Sequence, residues 1–193
     1  MRHNRQRRIT LVDAALAVLA RDGARALTFR AVDAQARLPP GTASNYFKNR
    51  DVLLTQAGMR AYDRLTPDSP TMGSLLETAP DRDGVARLVR AGLERLTRSH
   101  SLYLALLELR LEAVRRPELR SVLTARLRED LDANAVLRED GTRPGDATAA
   151  MLLHLAFNWL IVERLTLPEL ITEDQADRLV TVLVERLVSP PAG

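Results

Sequence analysis

The chain has 193 residues, 46% hydrophobic and 27% charged, which fits one or two globular domains and excludes a disordered or fibrous protein. It has no cysteine, which excludes disulfides, cysteine-ligated metals and thiol catalysis, and its three histidines are too far apart to indicate a metal site. Residues 1–50 carry ten basic and three acidic residues, whereas the rest of the chain is net negative. This asymmetry favours contact with a polyanion over a basic tail without a partner.

Helical signals begin at residue 9. Apolar residues recur there at spacings of three and four and predict a helix that ends near Gly23. Thr28 is a candidate N-cap for a second helix through Ala36. The Pro39-Pro40-Gly41 break separates it from a third short helix through Phe47. Asn49 is placed to cap a fourth helix.

Five further helices are predicted beyond a loop-like stretch at 66–84, in which Leu75-Leu76 is a candidate helical turn. Their approximate ranges are 85–96, 102–115, 117–137, 147–167 and 173–188. Pro117 suits the first position of its helix, Ser99 or Ser101 is a candidate cap before 102–115, and 141–145 is a predicted break. About nine helices and no strand predict an all-α protein.

Three short helices with a tight break before the third predict a helix-turn-helix, whose last helix enters the DNA major groove. Thr42, Ser44, Asn45 and Tyr46 supply compact hydrogen-bonding side chains on that helix, and Phe47 is expected to point into the core. An asparagine can bind an adenine edge through two hydrogen bonds, and hydroxyl groups reach phosphates. The sequence therefore predicts a DNA-recognition helix at 41–47.

Basic residues flank this unit on both sides. Lys48 and Arg50 follow the recognition helix and are candidates to neutralise phosphates. Four arginines before the first helix predict an arm that follows the phosphates or enters the minor groove. They are Arg2, Arg5, Arg7 and Arg8.

Three segments together resemble the DNA-binding domain of tetracycline-repressor (TetR) family regulators over about residues 5–65. They are Thr28-Phe-Arg-Ala-Val, Ala36-Arg-Leu-Pro-Pro-Gly-Thr and Asn45-Tyr-Phe-Lys-Asn-Arg-Asp-Val-Leu-Leu. The resemblance implies a homodimer that binds operator DNA and is released by a small ligand held in a C-terminal helical domain. The DNA-binding residues expected on this basis are Arg5, Arg8, Thr28, Arg30, Thr42, Ser44, Asn45, Tyr46 and Lys48.

The chain departs from the family pattern at three positions. Arg37 stands where the family usually has glycine, so a left-handed backbone there would cost on the order of 1 kcal/mol. Asp33 stands where alanine is common, and its i,i+4 spacing from Arg37 predicts a surface ion pair. Ser44 replaces a frequent tyrosine, so base preference does not transfer.

The carboxyl-terminal helices predict self-association. Between Met151 and Leu165 apolar residues occupy nearly every side of the helix, so that helix must be covered on all sides. A homodimer through about 147–167 and 173–188 would cover it, and a central helix in a monomer is the alternative. The expected domains are a DNA-binding domain at 1–50, a connecting helix at 50–65 and a ligand-binding and dimerisation domain at 81–190.

The ligand pocket is less well indicated. A pocket is mostly apolar with a few placed polar groups, and the candidates are Tyr103, Arg110, His154 and Asn158. Each of them has an ordinary structural role as its alternative, in the core or at an interface. No cofactor is expected, and the identity of the effector is not indicated.

Two other classes of function remain open. Glu108, Glu112 and His154 would be the site of a small helical enzyme, although no nucleotide-binding, nucleophile or metalloprotease motif is present. A helical adaptor that binds another protein through 151–165 is the other alternative. The sequence lacks an export signal and a membrane span, so we expect a cytoplasmic protein without a membrane partner. A repressor is favoured over an activator.

Overall fold

The computed structural model describes residues 2–66, 82–139 and 147–188. Within these ranges it contains nine helices and no strand, which confirms the all-α prediction. The helices are α1 (Arg2–Ala26), α2 (Phe29–Gln35), α3 (Thr42–Tyr46), α4 (Arg50–Leu65), α5 (Arg82–Arg98), α6 (His100–Ala113), α7 (Pro117–Glu139), α8 (Ala147–Thr166) and α9 (Glu173–Leu187). The predicted turn at Leu75-Leu76, the rest of the predicted loop between 67 and 81, and the break at 141–145 lie outside the described residues.

The chain forms two compact units. The first combines residues 1–66 with 99–128, and the second combines 67–98 with 129–193. In the first unit, α6 packs against both α1 and α4. This unit therefore extends beyond the helix-turn-helix, and the functional division at 50 and 81 stays a prediction.

Leucines and valines with almost no exposed surface form the core of the first unit. They include Leu11, Val18, Leu53, Leu54, Leu109 and Leu119. Gly58 of α4 lets α7 approach closely, because a Cβ atom at that position would lie 2.8 Å from the Leu123 side chain. A larger residue at 58 would require the Leu123 side chain to shift.

Local signals place the helix ends of the first unit. The hydroxyl of Thr28 accepts the Ala31 N–H at 3.1 Å, and Asn49 Oδ1 accepts the Val52 N–H at 2.9 Å. Both predicted N-caps are confirmed, and Pro117 is the first residue of α7 as predicted. Gly23 interrupts α1 with a φ of 76°, at the predicted end of the first helix.

The basic arm before the first helix is a prediction that the structure corrects. The helix α1 begins at Arg2, so Arg5, Arg7 and Arg8 lie in its first turns. Helical hydrogen bonding already satisfies the backbone there, and the segment is not the extended strand that a minor-groove arm requires.

In the second unit, α5, α8 and α9 pack against one another. Leu93, Ile161, Val180 and Val184 are buried among these helices. A capping box starts α9, in which Thr172 and Gln175 each accept the other's backbone N–H. Among the described residues, no helix has the length and apolar character needed to cross a membrane.

Candidate nucleic-acid interface

The recognition helix α3 presents one polar side and one apolar side. Ser44 and Asn45 are exposed, and Thr42 and Tyr46 are partly exposed. Ala43 and Phe47 are fully buried, which confirms the inward placement of Phe47. Because consecutive residues of a helix lie 100° apart, burial of Ala43 and Phe47 turns the residues between them outward.

Two hydroxyl groups of α3 are used within the turn. Thr42 Oγ1 donates to the Pro39 carbonyl oxygen at 2.6 Å, and Ser44 Oγ donates to the Gly41 carbonyl oxygen at 2.8 Å. Each hydroxyl oxygen keeps lone pairs that can accept a further hydrogen bond. The Asn45 amide offers both donors and an acceptor.

The turn between α2 and α3 contains two left-handed residues. Gly41 has a φ of 88°, and Arg37 has a φ of 55°. The strained conformation predicted for an arginine at the usual glycine position is therefore present. Asp33 is 1% exposed, and its carboxylate accepts the backbone N–H groups of Gly41 and Ala43. The predicted surface pair of Asp33 with Arg37 is wrong, since the buried carboxylate points to the backbone of α3.

Arg8 is directed into the first unit. Its guanidinium donates to Gln56 Oε1 at 2.9 Å and to the Tyr46 carbonyl oxygen at 2.7 Å, and lies 5.0 Å from the centre of the Phe47 ring. These contacts tie the end of α3 to α1 and α4. Arg8 was predicted as a DNA contact, and its described contacts are those of a residue that supports the recognition helix.

Arg50 is also directed inward. It donates to the carbonyl oxygens of Leu27 and Ala24, at the end of α1. The sequence suggested a phosphate contact for this residue, because it follows the recognition helix close to Lys48. That position does not reveal the direction of the side chain. Its contacts in the structure close the corner between α1 and α2.

The other predicted basic contacts are exposed. They are Arg5 and Arg7 on α1, Arg30 on α2, and Lys48 after α3. Thr28 is also exposed, and its side-chain oxygen caps α2. The first unit therefore carries both the exposed polar side of α3 and several exposed cations.

Sequence analysis missed one carboxylate contact at the end of α1. Glu108 Oε2 accepts the Ala24 N–H at 2.8 Å, directly after the break at Gly23. The backbone group at Ala24 became available because the helix is interrupted one residue earlier. No sequence signal links positions 84 residues apart, so only the packing of α6 against α1 reveals this contact.

Two of the predicted ligand-binding residues lie in the first unit. Tyr103 is buried, and burial raises the pKa of its hydroxyl to about 12 although the charge of Arg110 lowers it. Arg110 itself is exposed. Nearby on α6, Glu112 is 7% exposed; burial raises the pKa of this carboxyl, but Arg115 and Arg116 outweigh burial and hold it below its ordinary value.

The other two predicted ligand-binding residues lie in the second unit. Asn158 Nδ2 donates to the His154 carbonyl oxygen at 2.8 Å and lies 3.1 Å from the His154 ring Nε2. Both side chains are partly buried on α8. His154 and Asn158 are one helical turn apart and form some of their hydrogen bonds with each other.

Large apolar side chains are exposed on α8 and α9. On α8 they are Met151, Leu152, Leu155 and Trp159, and on α9 they are Leu179 and Val182. Trp159 is 65% exposed and Leu155 is 57% exposed. Positions 151, 155 and 159 are spaced by four residues and therefore share one side of α8. We call this set the α8–α9 apolar face.

A groove of about 320 Å³ adjoins this face at the start of α9. It is lined by Leu170, Ile171, Gln175, Arg178, Leu179 and Val182. The groove is mainly apolar, and Arg178 and Gln175 supply its polar groups. Contiguous apolar surface of this kind is typical of interaction sites.

Two family models match the chain. Residues 11–57 match the model of bacterial regulatory proteins of the tetR family. Residues 80–190 match a model described as the C-terminal domain of tetracyclin repressor-like proteins. The matched segments include the helix-turn-helix and all five helices from α5 to α9. No curated protein matches the chain.

Solved structures of similar fold include the multidrug-binding protein EbrR in complex with ethidium. It is 25% identical, has a TM-score of 0.70, and the match covers 95% of this chain and 99% of that one. A TetR-family member from Streptomyces coelicolor A3 is 23% identical with a TM-score of 0.71, covering 95% and 98% of the two chains. A transcriptional regulator from Rhodococcus sp. Rha1 is 17% identical with a TM-score of 0.73, covering 93% and 95%. The last two show similarity of fold alone.

Proposed function

The chain belongs to the tetracycline-repressor family of DNA-binding transcriptional regulators, and from this premise we propose that it is a homodimeric repressor released from its operator by a small ligand. Its family consists of bacterial regulatory proteins rather than enzymes. The observation that carries the proposal is the exposed polar side of α3, with Ser44 and Asn45 exposed in a unit that also carries exposed cations. A protein with this task works where the chromosome is, so we propose a cytoplasmic location.

We assign base contacts to the outward side chains of α3. These are Thr42, Ser44, Asn45 and Tyr46, with Asn45 as the main candidate for adenine. Phosphate contacts are assigned to Arg5, Thr28, Arg30 and Lys48, all of which are exposed. Arg8 supports α3 from inside and is proposed to affect DNA binding only through that helix.

The second subunit is proposed to cover the α8–α9 apolar face. Exposed apolar side chains stand on both α8 and α9, with Met151, Leu155 and Trp159 at four-residue spacing on α8, and burying them supplies the driving force for association. A twofold dimer presents two recognition helices, which must lie about 34–36 Å apart to enter successive major grooves. The operator is therefore expected to be palindromic.

The effector is proposed to be a small molecule bound by the C-terminal helices. EbrR, which shares this fold, is a multidrug-binding protein complexed with ethidium, and this supports a small, largely apolar ligand here. His154 and Asn158 of the second unit remain the proposed contacts, and the assignment of Tyr103 and Arg110 stays a prediction from the sequence. The ligand shifts the equilibrium only if it binds the DNA-incompetent arrangement more tightly than the competent one.

Selection of bound duplexes from a random pool at physiological salt tests the proposal. The expected result is enrichment of one palindromic site, bound about 10³-fold or more tightly than random DNA. Enrichment of no sequence, or of a site without two half-sites, would contradict it.

A matched pair of variants locates the interface. Ser44→Asp and Ser121→Asp add the same charge at exposed serines of the first unit, on α3 and α7. Since a carboxylate on α3 would face phosphates, Ser44→Asp should abolish enrichment. Ser121→Asp should leave it unchanged, and equal effects would place the DNA elsewhere.

A further inference from the structure

We propose that Asp33 is a positioning residue that sets the orientation of the recognition helix and thereby the DNA specificity of the protein. The inference rests on the proposed function, since it assigns a role in binding by α3. Asp33 itself is 1% exposed and does not reach the outer surface, so its effect on DNA must pass through α3.

The two carboxylate oxygens of Asp33 bind the start of α3. Oδ2 accepts the Gly41 N–H at 2.8 Å, and Oδ1 accepts the Ala43 N–H at 2.7 Å. The backbone carbonyl oxygen of Asp33 also accepts the Leu38 N–H at 2.9 Å. One residue of α2 therefore holds the turn through its main chain and the recognition helix through its side chain.

The helix α3 has few other acceptors for the N–H groups of its first turn, of which the Thr42 N–H bonds to the Pro39 carbonyl oxygen at 3.2 Å. It has five residues, which is too short to be stable by itself, and its N-cap Gly41 has no side chain to bond the free N–H groups. The preceding Pro39 and Pro40 offer no hydroxyl or carboxylate. The Asp33 carboxylate supplies from α2 the cap that the local sequence lacks.

The turn needs this contact because it is strained. Arg37 adopts a φ of 55°, a region that residues other than glycine rarely occupy. Hydrogen bonds from a buried carboxylate are directional and stronger than neutral ones. They hold the turn in this conformation and fix the angle at which Ser44 and Asn45 project.

The charge of Asp33 makes the inference testable by the sign of the effect. A carboxylate repels DNA phosphates, so by charge alone its removal would tighten binding to every sequence. A positioning role predicts the opposite for the operator, because misdirected base contacts weaken only specific binding. The two effects therefore differ in direction on the operator.

The experiment compares Asp33→Asn with Asp22→Asn, using operator and random duplexes with the full-length protein. Asp22 is an exposed aspartate of α1, paired with Arg21 at 2.7 Å, so the control removes the same charge without touching α3. An asparagine at 33 accepts one N–H and opposes the other. We expect about tenfold weaker operator binding for Asp33→Asn, with random binding unchanged or slightly tighter. Operator affinity within twofold of the wild type would overturn the inference.

A second variant separates positioning from folding. Arg37→Gly relieves the strained φ of the turn, so Asp33→Asn/Arg37→Gly should regain stability without regaining the carboxylate. If operator binding stays weak after the melting temperature recovers, positioning is supported. If operator binding recovers together with stability, Asp33 serves only folding and the inference fails.

Hydrogen exchange of the wild type is an independent measurement. Gly41 is exposed, so slow exchange of its amide requires the bond to Asp33, and fast exchange would overturn the inference. Failure of the wild type to bind any duplex selectively would instead contradict the proposed function. The two failures are therefore distinguishable.

Discussion

The helix α3 of the first unit and the α8–α9 apolar face of the second differ in the contacts that their side chains make. The first is held by directional polar contacts from Asp33 and Arg8 to the backbone of α3. The second exposes Leu155 and Trp159, with more than half of each side chain in solvent. The first region is held by contacts within one chain, whereas the second exposes apolar surface that the described residues leave uncovered.

The difference shows what each kind of contact can do. Hydrogen bonds to backbone groups fix an angle, which base recognition needs, and they involve few residues. Burial of apolar surface supplies free energy without fixing direction, which suits the joining of two copies. Substitutions at α3 should therefore change DNA binding, and substitutions at the α8–α9 apolar face should change the stability of the dimer.

The largest effect is expected at the apolar face. Leu155→Arg puts a charge where the second subunit is proposed to pack, and should weaken the dimer by about 2–4 kcal/mol. Analytical ultracentrifugation over a concentration series measures the change. The control is Leu111→Arg on α6, at a leucine that is 62% exposed. Equal effects of the two variants, or an unchanged dimer with Leu155→Arg, would remove the α8–α9 apolar face from the interface.

Asn45→Ala tests the recognition helix at an exposed amide side chain. Operator binding should weaken by about 1–3 kcal/mol and base preference should relax at one position, because two hydrogen bonds to a base edge are lost. Competition binding with single-base operator variants measures both. If operator and random DNA lose the same affinity, Asn45 does not contact a base.

Arg8→Ala and Arg5→Ala form a matched pair on the first turns of α1. Arg8 donates to Gln56 and to the Tyr46 carbonyl, so its loss should lower the free energy of unfolding by about 1–2 kcal/mol. Arg5 is exposed, and its loss should leave stability unchanged but reduce the salt dependence of DNA binding by about one unit. Denaturant unfolding and salt titrations measure the two quantities. A reduced salt dependence for Arg8→Ala would return Arg8 to the phosphate contacts.

The smallest effect is expected from Lys48→Ala. Loss of one phosphate contact should weaken binding to all sequences by less than about 1 kcal/mol and reduce the salt slope by about one unit. The control is Arg120→Ala, at an exposed residue of α7. Salt titrations with operator and random duplexes provide the slopes. An unchanged slope would show that Lys48 does not neutralise a phosphate.

Much of the recognition unit was predictable because its signals are local. Thr28 and Asn49 cap helices that begin one residue later, and Phe47 is buried where the pattern places it. The family resemblance also indicated the left-handed position at Arg37. Such features depend on a few adjacent residues, so a single sequence is enough to predict them.

The direction of long side chains was not predictable in the same way. Arg8 and Arg50 lie among exposed basic residues in the sequence, but each donates to carbonyl oxygens of another segment. Asp33 was expected on the surface and is buried against α3. An arginine or aspartate can face either way from a helix, and the nearest unsatisfied backbone group decides which.

The amino-acid sequence by itself determined the all-α class, the order of the helices, the helix-turn-helix and the family. Those properties follow from apolar periodicity, capping residues and proline breaks, which act within a few residues of the chain. The tertiary structure decided which charged groups support the recognition helix and which are exposed. The directions of these side chains depend on backbone groups at Ala24, Gly41 and Tyr46 that the side chains bind. Each backbone group and its side-chain partner come close only in the folded chain.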